Sequence, residues 1–145
     1  MLPLLSGVQS TTSALEAERI RMEVISQNIA NANTSRGIDG KPYQRQEVVF
    51  ETILSRQMTG TSPSDGAGKG VTVSRITKDN VPPRLVYNPG HPDANPQGMV
   101  ALPNINVHEE MVDMIAASRA FEANLAVVKN ARSMAMQTLS IGKRA

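Results

Sequence analysis

The C-terminal end of the chain carries the pattern that most limits its fold. Residues 107–142 contain no proline and repeat apolar side chains at helical spacing. One series, spaced by seven residues, consists of Val107, Met114, Phe121, Val128 and Ala135. A second series, interleaved at alternating steps of four and three, consists of Met111, Ser118, Leu125, Arg132 and Leu139. This spacing is typical of a helix that packs along a partner helix.

The flanking residues indicate where this helix begins and ends. Asn106 is a favourable N-cap, and Glu109 follows three residues later, as in a capping box. The helix is therefore predicted to begin near Val107. Gly142 suits the C-terminal end, because glycine adopts the left-handed conformation that commonly closes a helix.

The same helix carries a second apolar face. It comprises Val112, Ile115, Val127 and Met134, together with a row of small residues, Ala116, Ala117, Ala120, Ala123 and Ala126. Apolar patches of this length are rare on monomers, and small side chains permit close approach. We therefore expect this face to dock against adjacent subunits.

A second helix is predicted from about Leu4 to Ala32. Its seven-residue series is Val8, Leu15, Met22 and Ile29. The hypothesis is that this series packs against Met111, Met114, Phe121, Leu125 and Val128. An intramolecular helical hairpin alone is the open alternative. The residues expected to carry subunit interactions are Val8, Leu15, Met22, Ile29, Asn31, Asn33, Met111, Met114, Ile115, Phe121, Leu125, Val128 and Leu139.

Three asparagines, Asn28, Asn31 and Asn33, stand at the end of the first helix. Asparagine side chains form hydrogen bonds with nearby backbone groups and favour helix ends. Two interpretations remain open: the cluster closes the helix and its exit turn, or it makes a specific contact with a neighbouring subunit.

The middle of the chain is predicted to be a small β-rich module. Its short strands are expected at residues 48–50, 71–73 and 84–87, whereas the proline-rich residues 88–98 exclude a helix. Residues 59–70 have the composition of a flexible loop. The predicted fold is α+β: terminal helices in residues 1–36 and 105–145 form a coiled-coil-like pair, with the β-rich module at residues 37–104.

Composition argues against catalysis and cofactor binding. The 145 residues include no Cys and two His, and aromatic residues make up 3%. His91 and His108 lie in different predicted elements, and His108 lacks the second histidine of a zinc-binding helix. No enzyme activity, cofactor or metal is expected. Since the net charge of +2 is spread evenly, a nucleic-acid or regulatory binding module is only the alternative function.

Several segments together resemble the FlgC family of bacterial flagellar basal-body rod proteins, within the larger group of rod and hook axial proteins. The broader signature is ISQNIANANT at residues 25–34. The segments typical of the FlgC branch are VYNPGHPDANPQG at 86–98, LPNINV at 102–107, EEMVDMI at 109–115 and SRAFEAN at 118–124. The family commonly has Tyr where Phe121 stands, a conservative difference.

The resemblance implies a structural subunit of the proximal rod. Its terminal helices would polymerise into the hollow drive shaft, which transmits torque and surrounds the export channel. The implied partners are other rod proteins, the rod-base adaptor, the membrane-ring protein and the flagellar type III export apparatus. The implied location is the periplasmic rod, reached by export without a cleaved signal peptide. Neither a signal peptide nor a membrane span is predicted from the sequence.

Overall fold

The computed structural model describes residues 2–54 and 69–142, in which two long helices accompany two antiparallel β-hairpins. The elements are α1 (Leu2–Ala30), β1 (Gln46–Leu54), β2 (Lys69–Lys78), β3 (Arg84–Tyr87), β4 (Met99–Leu102) and α2 (Val107–Gly142). The predicted α+β class is confirmed. Residues 59–68 of the expected loop lie outside the described residues, and the last two residues of that segment begin β2.

Asparagine side chains mark the C-terminal end of α1 and the N-terminal end of α2. α1 ends at Ala30, two residues earlier than predicted. Asn31 Nδ2 donates to Gln27 O at 2.8 Å, and the backbone bonding changes from four-residue to three-residue steps where the N–H of Ala32 donates to Ile29 O at 3.3 Å. α2 begins at Val107, as predicted, where Asn106 Oδ1 accepts the N–H of the second helical residue at 3.2 Å. Its 36 residues span ~54 Å.

The two helices form an antiparallel pair. Asn28, near the end of α1, contacts Glu110 in the first turn of α2, whereas Met22 Sδ lies 3.5 Å from Ser118 Oγ. Contacts therefore run in opposite directions along the two helices. The fully buried apolar residues of the helices are Ala17, Val24, Ile25, Ala117 and Ala131.

The contact surface of α2 differs from the prediction in one of its two series. The series that begins at Val107 is half-buried throughout. It is interleaved with Glu110, Ala117, Asn124 and Ala131, which are buried or half-buried, and not with the predicted second series. The observed and the predicted second series both alternate with the first series at steps of three and four residues. The small side chains of Ala117 and Ala131 admit the partner helix on their side, so Met111, Leu125 and Leu139 remain exposed.

On α1 the predicted series lies beside the deepest line. Val8, Leu15, Met22 and Ile29 are half-buried, whereas the buried residues are Ala17, Val24, Ile25 and Asn28, followed by Ala32 just after the helix. α1 packs against the β1–β2 hairpin as well as against α2, and the N–H of Val71 in β2 donates to Ser13 Oγ at 3.1 Å. The buried line therefore faces the space between these two neighbours.

The two hairpins are separate sheets within the described ranges. β1 pairs with β2 from Gln46↔Lys78 to Leu54↔Lys69, and the register shifts between Val49 and Phe50. One extra residue in β2, Ser74, produces this bulge. β3 pairs with β4 from Arg84↔Leu102 to Tyr87↔Met99. The sequence prediction did not include β4.

Turns fill residues 88–98 between β3 and β4, in agreement with the expected absence of a helix. Gly98 closes the connection at a φ of 75°, and its N–H donates to Asn95 O at 2.8 Å. A Cβ atom at this position would lie 2.9 Å from Tyr87 Cε2. Only glycine combines this positive φ with the close approach of Tyr87 without a shift of neighbouring atoms.

Candidate assembly interface

A buried polar junction lies where α1, the entry to β1 and α2 meet. Asn28 and Glu110 are each 1% exposed. Asn28 Nδ2 donates to Gln46 O at 2.9 Å and to Glu110 Oε2 at 3.0 Å. Asn28 Oδ1 accepts the N–H of Gln46 at 2.9 Å and the hydroxyl of Tyr43 at 3.1 Å. Every hydrogen-bonding atom of this side-chain amide is used.

The charge of Glu110 is compensated by Arg45. Arg45 Nε donates to Glu110 Oε1 at 2.6 Å, and the same guanidinium also contacts Glu47. A weaker approach joins Arg45 Nη2 to Asp113 Oδ2 at 3.9 Å. Arg21 of α1 lies 4.0 Å from Asp113 through its own Nη2. A buried carboxylate is tolerated only with such a partner, because desolvation of an unpaired ion is costly.

The junction changes the proton affinity of two of its members. Burial and the negative charge of Glu110 raise the pKa of Tyr43 above its ordinary value of 10.0. For Arg45, burial acts to lower the pKa, but hydrogen bonds to Glu47 and Glu110 more than offset it, so the pKa is raised. Both groups therefore stay protonated at neutral pH.

α2 also exposes large apolar side chains along its length, and we call this set the outer face of α2. Its members are Met111, Val112, Ile115, Leu125, Val127, Met134, Met136, Leu139 and Ile141, each between 37% and 72% exposed. At about 100° per residue, most of them fall into two stripes about 135° apart. The first stripe holds Met111, Ile115, Leu125 and Met136, and the second holds Val112, Val127, Met134 and Ile141.

The candidate interaction residues fall into two groups. Those half-buried in the subunit are Val8, Leu15, Met22, Ile29, Asn31, Met114, Phe121 and Val128, and the exposed ones are Asn33, Met111, Ile115, Leu125 and Leu139. Met111 and Leu125, which were expected to pack against α1, are 52% and 37% exposed in the subunit. The prediction that Ala117 docks against an adjacent subunit is wrong, since this side chain is 0% exposed within the subunit. Ala116 and Ala123 are exposed beside the second stripe.

The polar junction of Asn28, Arg45 and Glu110 was not identified as a site from the sequence. Asn28 was considered only within the asparagine cluster at the end of the first helix, and Arg45 and Glu110 were not singled out. The available signal was a polar residue in a core register, since Glu110 stands seven residues before Ala117 and fourteen before Asn124. Such a residue needs a buried partner.

His91 helps to shape a loop. Its Nδ1 accepts the N–H of Asp93 at 3.1 Å, and Asp93 Oδ2 accepts the hydroxyl of Ser35 at 2.8 Å. Asp93 Oδ1 also lies 3.5 Å from Arg36 Nη1. These contacts attach residues 88–98 to the turn that follows α1. Within residues 2–54 and 69–142, no three His, Cys, Asp or Glu side chains converge as metal ligands.

No helix in the described part of the chain combines the length and apolar character needed to cross a bilayer. Both terminal regions match family models of rod proteins. Residues 9–36 match the flagella basal body rod protein family, and residues 97–141 match the C-terminal family of flagellar basal body rod FlgEFG proteins. The two matches contain most of α1 and nearly all of α2.

The chain is similar to flagellar basal-body rod proteins FlgC over almost its whole length. The protein from Borreliella burgdorferi is 44% identical over 147 residues, covering 95% of this chain and 97% of the relative. The one from Bacillus subtilis is 42% identical, covering 92% and 94%, and the one from Salmonella typhimurium is 37% identical, covering 98% and 100%. With this identity over both full lengths, the chain belongs to the FlgC family of flagellar basal-body rod proteins.

Proposed function

We propose that this structural rod subunit polymerises through the outer face of α2 into the proximal rod. The observation that carries the proposal is the set of large apolar side chains exposed along that ~54 Å helix. A monomer gains nothing from exposing them, whereas neighbouring helices in a polymer remove them from water. Exposed Ala116 and Ala123 allow a neighbouring helix to approach the second stripe closely.

The proposed assembly is a hollow shaft. Terminal helices of many subunits lie side by side around the export channel, and the β-rich residues 37–104 lie outside. Torque is then carried by many parallel helix contacts. The proposed partners are further copies of the subunit, other rod proteins, the rod-base adaptor, the membrane-ring protein and the type III export apparatus. The proposed location is the periplasmic part of the basal body, reached without signal cleavage.

The family is one of structural proteins and not of enzymes, and this chain shares that assignment. The alternative of a small nucleic-acid or regulatory binding module is not supported, because the relatives that match over the full length are rod proteins. The small positive net charge, +2, was the sole basis for it.

The outer face can be tested with one substitution in each stripe, Ile115→Ser and Val127→Ser. Serine has nearly the same helix propensity as isoleucine and valine, so the subunit should keep its fold. We expect circular dichroism to be unchanged and incorporation into purified basal bodies, measured by immunoblot, to fall at least about tenfold for the double variant. Motility in soft agar should fall with it.

Glu23→Ser, an exposed substitution on α1, is the control and should leave assembly and motility unchanged. A folded Ile115→Ser/Val127→Ser chain that enters basal bodies at normal levels would contradict the proposed role of the outer face.

A further inference from the structure

The compensating charge of the polar junction comes from neither terminal helix. Glu110 Oε1 accepts its hydrogen bond from Arg45, which lies just before β1, and Oε2 accepts from Asn28 of α1. Arg21, on α1, contacts Asp113. The ion pair of the buried Glu110 carboxylate is therefore made with the segment before β1 and not with α1.

The same segment satisfies Asn28. Gln46 supplies both a backbone N–H and a backbone carbonyl, and Tyr43 supplies a hydroxyl. Without the segment, Asn28 would keep one partner, the Glu110 carboxylate. Buried polar groups that lack partners oppose burial, and a buried ion opposes it more strongly.

We propose that this junction is a folding gate: α1 and α2 form a stable pair only when the segment 43–47 is docked against them. The charged and titratable groups involved are Arg21 from α1, Tyr43, Arg45 and Glu47 from the segment, and Glu110 with Asp113 from α2. The gate couples the pairing of α1 and α2 to the folding of the middle module. It concerns the subunit alone and does not depend on the rod assignment.

The absence of cysteine gives a clean reporter of helix pairing. Met22 Sδ and Ser118 Oγ lie 3.5 Å apart across the pair, so the full chain with Met22→Cys and Ser118→Cys carries one thiol on each helix at a point of contact. A short bis-maleimide that has reacted with one thiol can close onto the other. The rate of this closure, divided by the rate of its reaction with free glutathione, gives the effective concentration of the two thiols, which measures the stability of pairing.

In that background, we expect Arg45→Met to lower the effective concentration at least about tenfold, because Glu110 loses its cation while both helices keep their sequence. Adding Glu110→Gln should restore it to within about threefold, since the charge that required Arg45 is then gone. Arg45→Lys should give an intermediate value. Arg75→Met, at an exposed position of β2, is the matched control and should change the value less than about twofold.

An unchanged effective concentration in Arg45→Met would overturn the gate. So would failure of Glu110→Gln to restore pairing, because Arg45 would then act through packing and not through its charge. If Arg45→Met does not fold at all, the double variant decides: a folded, paired double variant supports the gate, and an unfolded one overturns it.

Discussion

At the scale of single residues, Asn28 shows why a polar side chain occupies a core position of α1. Its amide has two donors and an acceptor with two lone pairs, and all are used by Gln46, Glu110 and Tyr43. Aspartate has the same shape but lacks the two donors, and it would place a second carboxylate beside Glu110. The position therefore requires the amide.

The isosteric substitution Asn28→Asp tests this requirement. We expect it to lower the free energy of unfolding by about 2–4 kcal/mol, since it breaks buried hydrogen bonds and adds a like charge. Urea unfolding monitored by circular dichroism measures the change. Asn33→Asp, at an exposed position, is the control, with an expected change below about 0.5 kcal/mol. Equal effects of the two substitutions would rule out the described role of Asn28.

Tyr43 gives the subunit a characteristic response to alkaline pH. The pKa values of Tyr43 and Arg45 are both raised in the folded state, so the folded protein holds these protons more tightly than the unfolded chain does. The contribution of Tyr43 is fully present below the ordinary tyrosine value of 10.0 and is lost as pH rises beyond it, whereas Arg45 stays protonated throughout this range. Unfolding free energies measured by urea titration between about pH 8 and 11 should therefore decline.

The variant Tyr43→Phe removes the tyrosine part of that response. It should be less stable than the parent at pH 8, because Asn28 Oδ1 loses a donor, but its stability should decline less steeply above pH 10. Tyr87→Phe, which removes the phenol of an exposed side chain, serves as the control. A decline in Tyr43→Phe as steep as in the parent would show that this phenol is not the source.

At the scale of elements, the β3–β4 hairpin depends on one glycine. Gly98 combines a positive φ with a close approach to Tyr87, whereas Gly40 has a φ of 70° and open space around it. Gly98→Ala should therefore cost about 1–3 kcal/mol of unfolding free energy, and Gly40→Ala about 1 kcal/mol. Thermal and urea unfolding measure both. Gly90→Ala, which meets neither condition, is the reference, and a smaller loss for Gly98→Ala than for Gly40→Ala would refute the contact argument.

The elements differ in how far the sequence could predict them. α2 was predicted within a residue because Asn106 and Gly142 mark its ends locally. The side of α2 that meets α1 was not predicted, because the series that contains Ala117 and the series that contains Leu125 both satisfy the helical spacing. Only the distance at which the two helices pack distinguishes these series. β4 has four residues and no distinctive alternation. Asn28 and Glu110 are 82 residues apart, so their contact has no local signal.

At the scale of the whole molecule, many large apolar side chains of the subunit remain exposed in a single chain. The expected result is concentration-dependent self-association of the purified protein, measured by sedimentation velocity. Val112→Ser combined with Met134→Ser should lower the weight-average mass at high concentration, because both residues are exposed in the second stripe. If the parent protein is a compact monomer with both helices formed at every concentration, assembly through this face is contradicted.

The angular separation of the two stripes has a consequence for symmetry. A single apolar patch that pairs with the same patch on a second copy forms a closed two-fold dimer, in which no patch remains available to a third copy. Two unlike patches on one helix give the subunit a valence of two, so each added copy presents a fresh patch to the next. Contacts of this head-to-tail kind generate rings or open helices, so the arrangement of α2 favours assemblies of many subunits over a closed two-fold dimer.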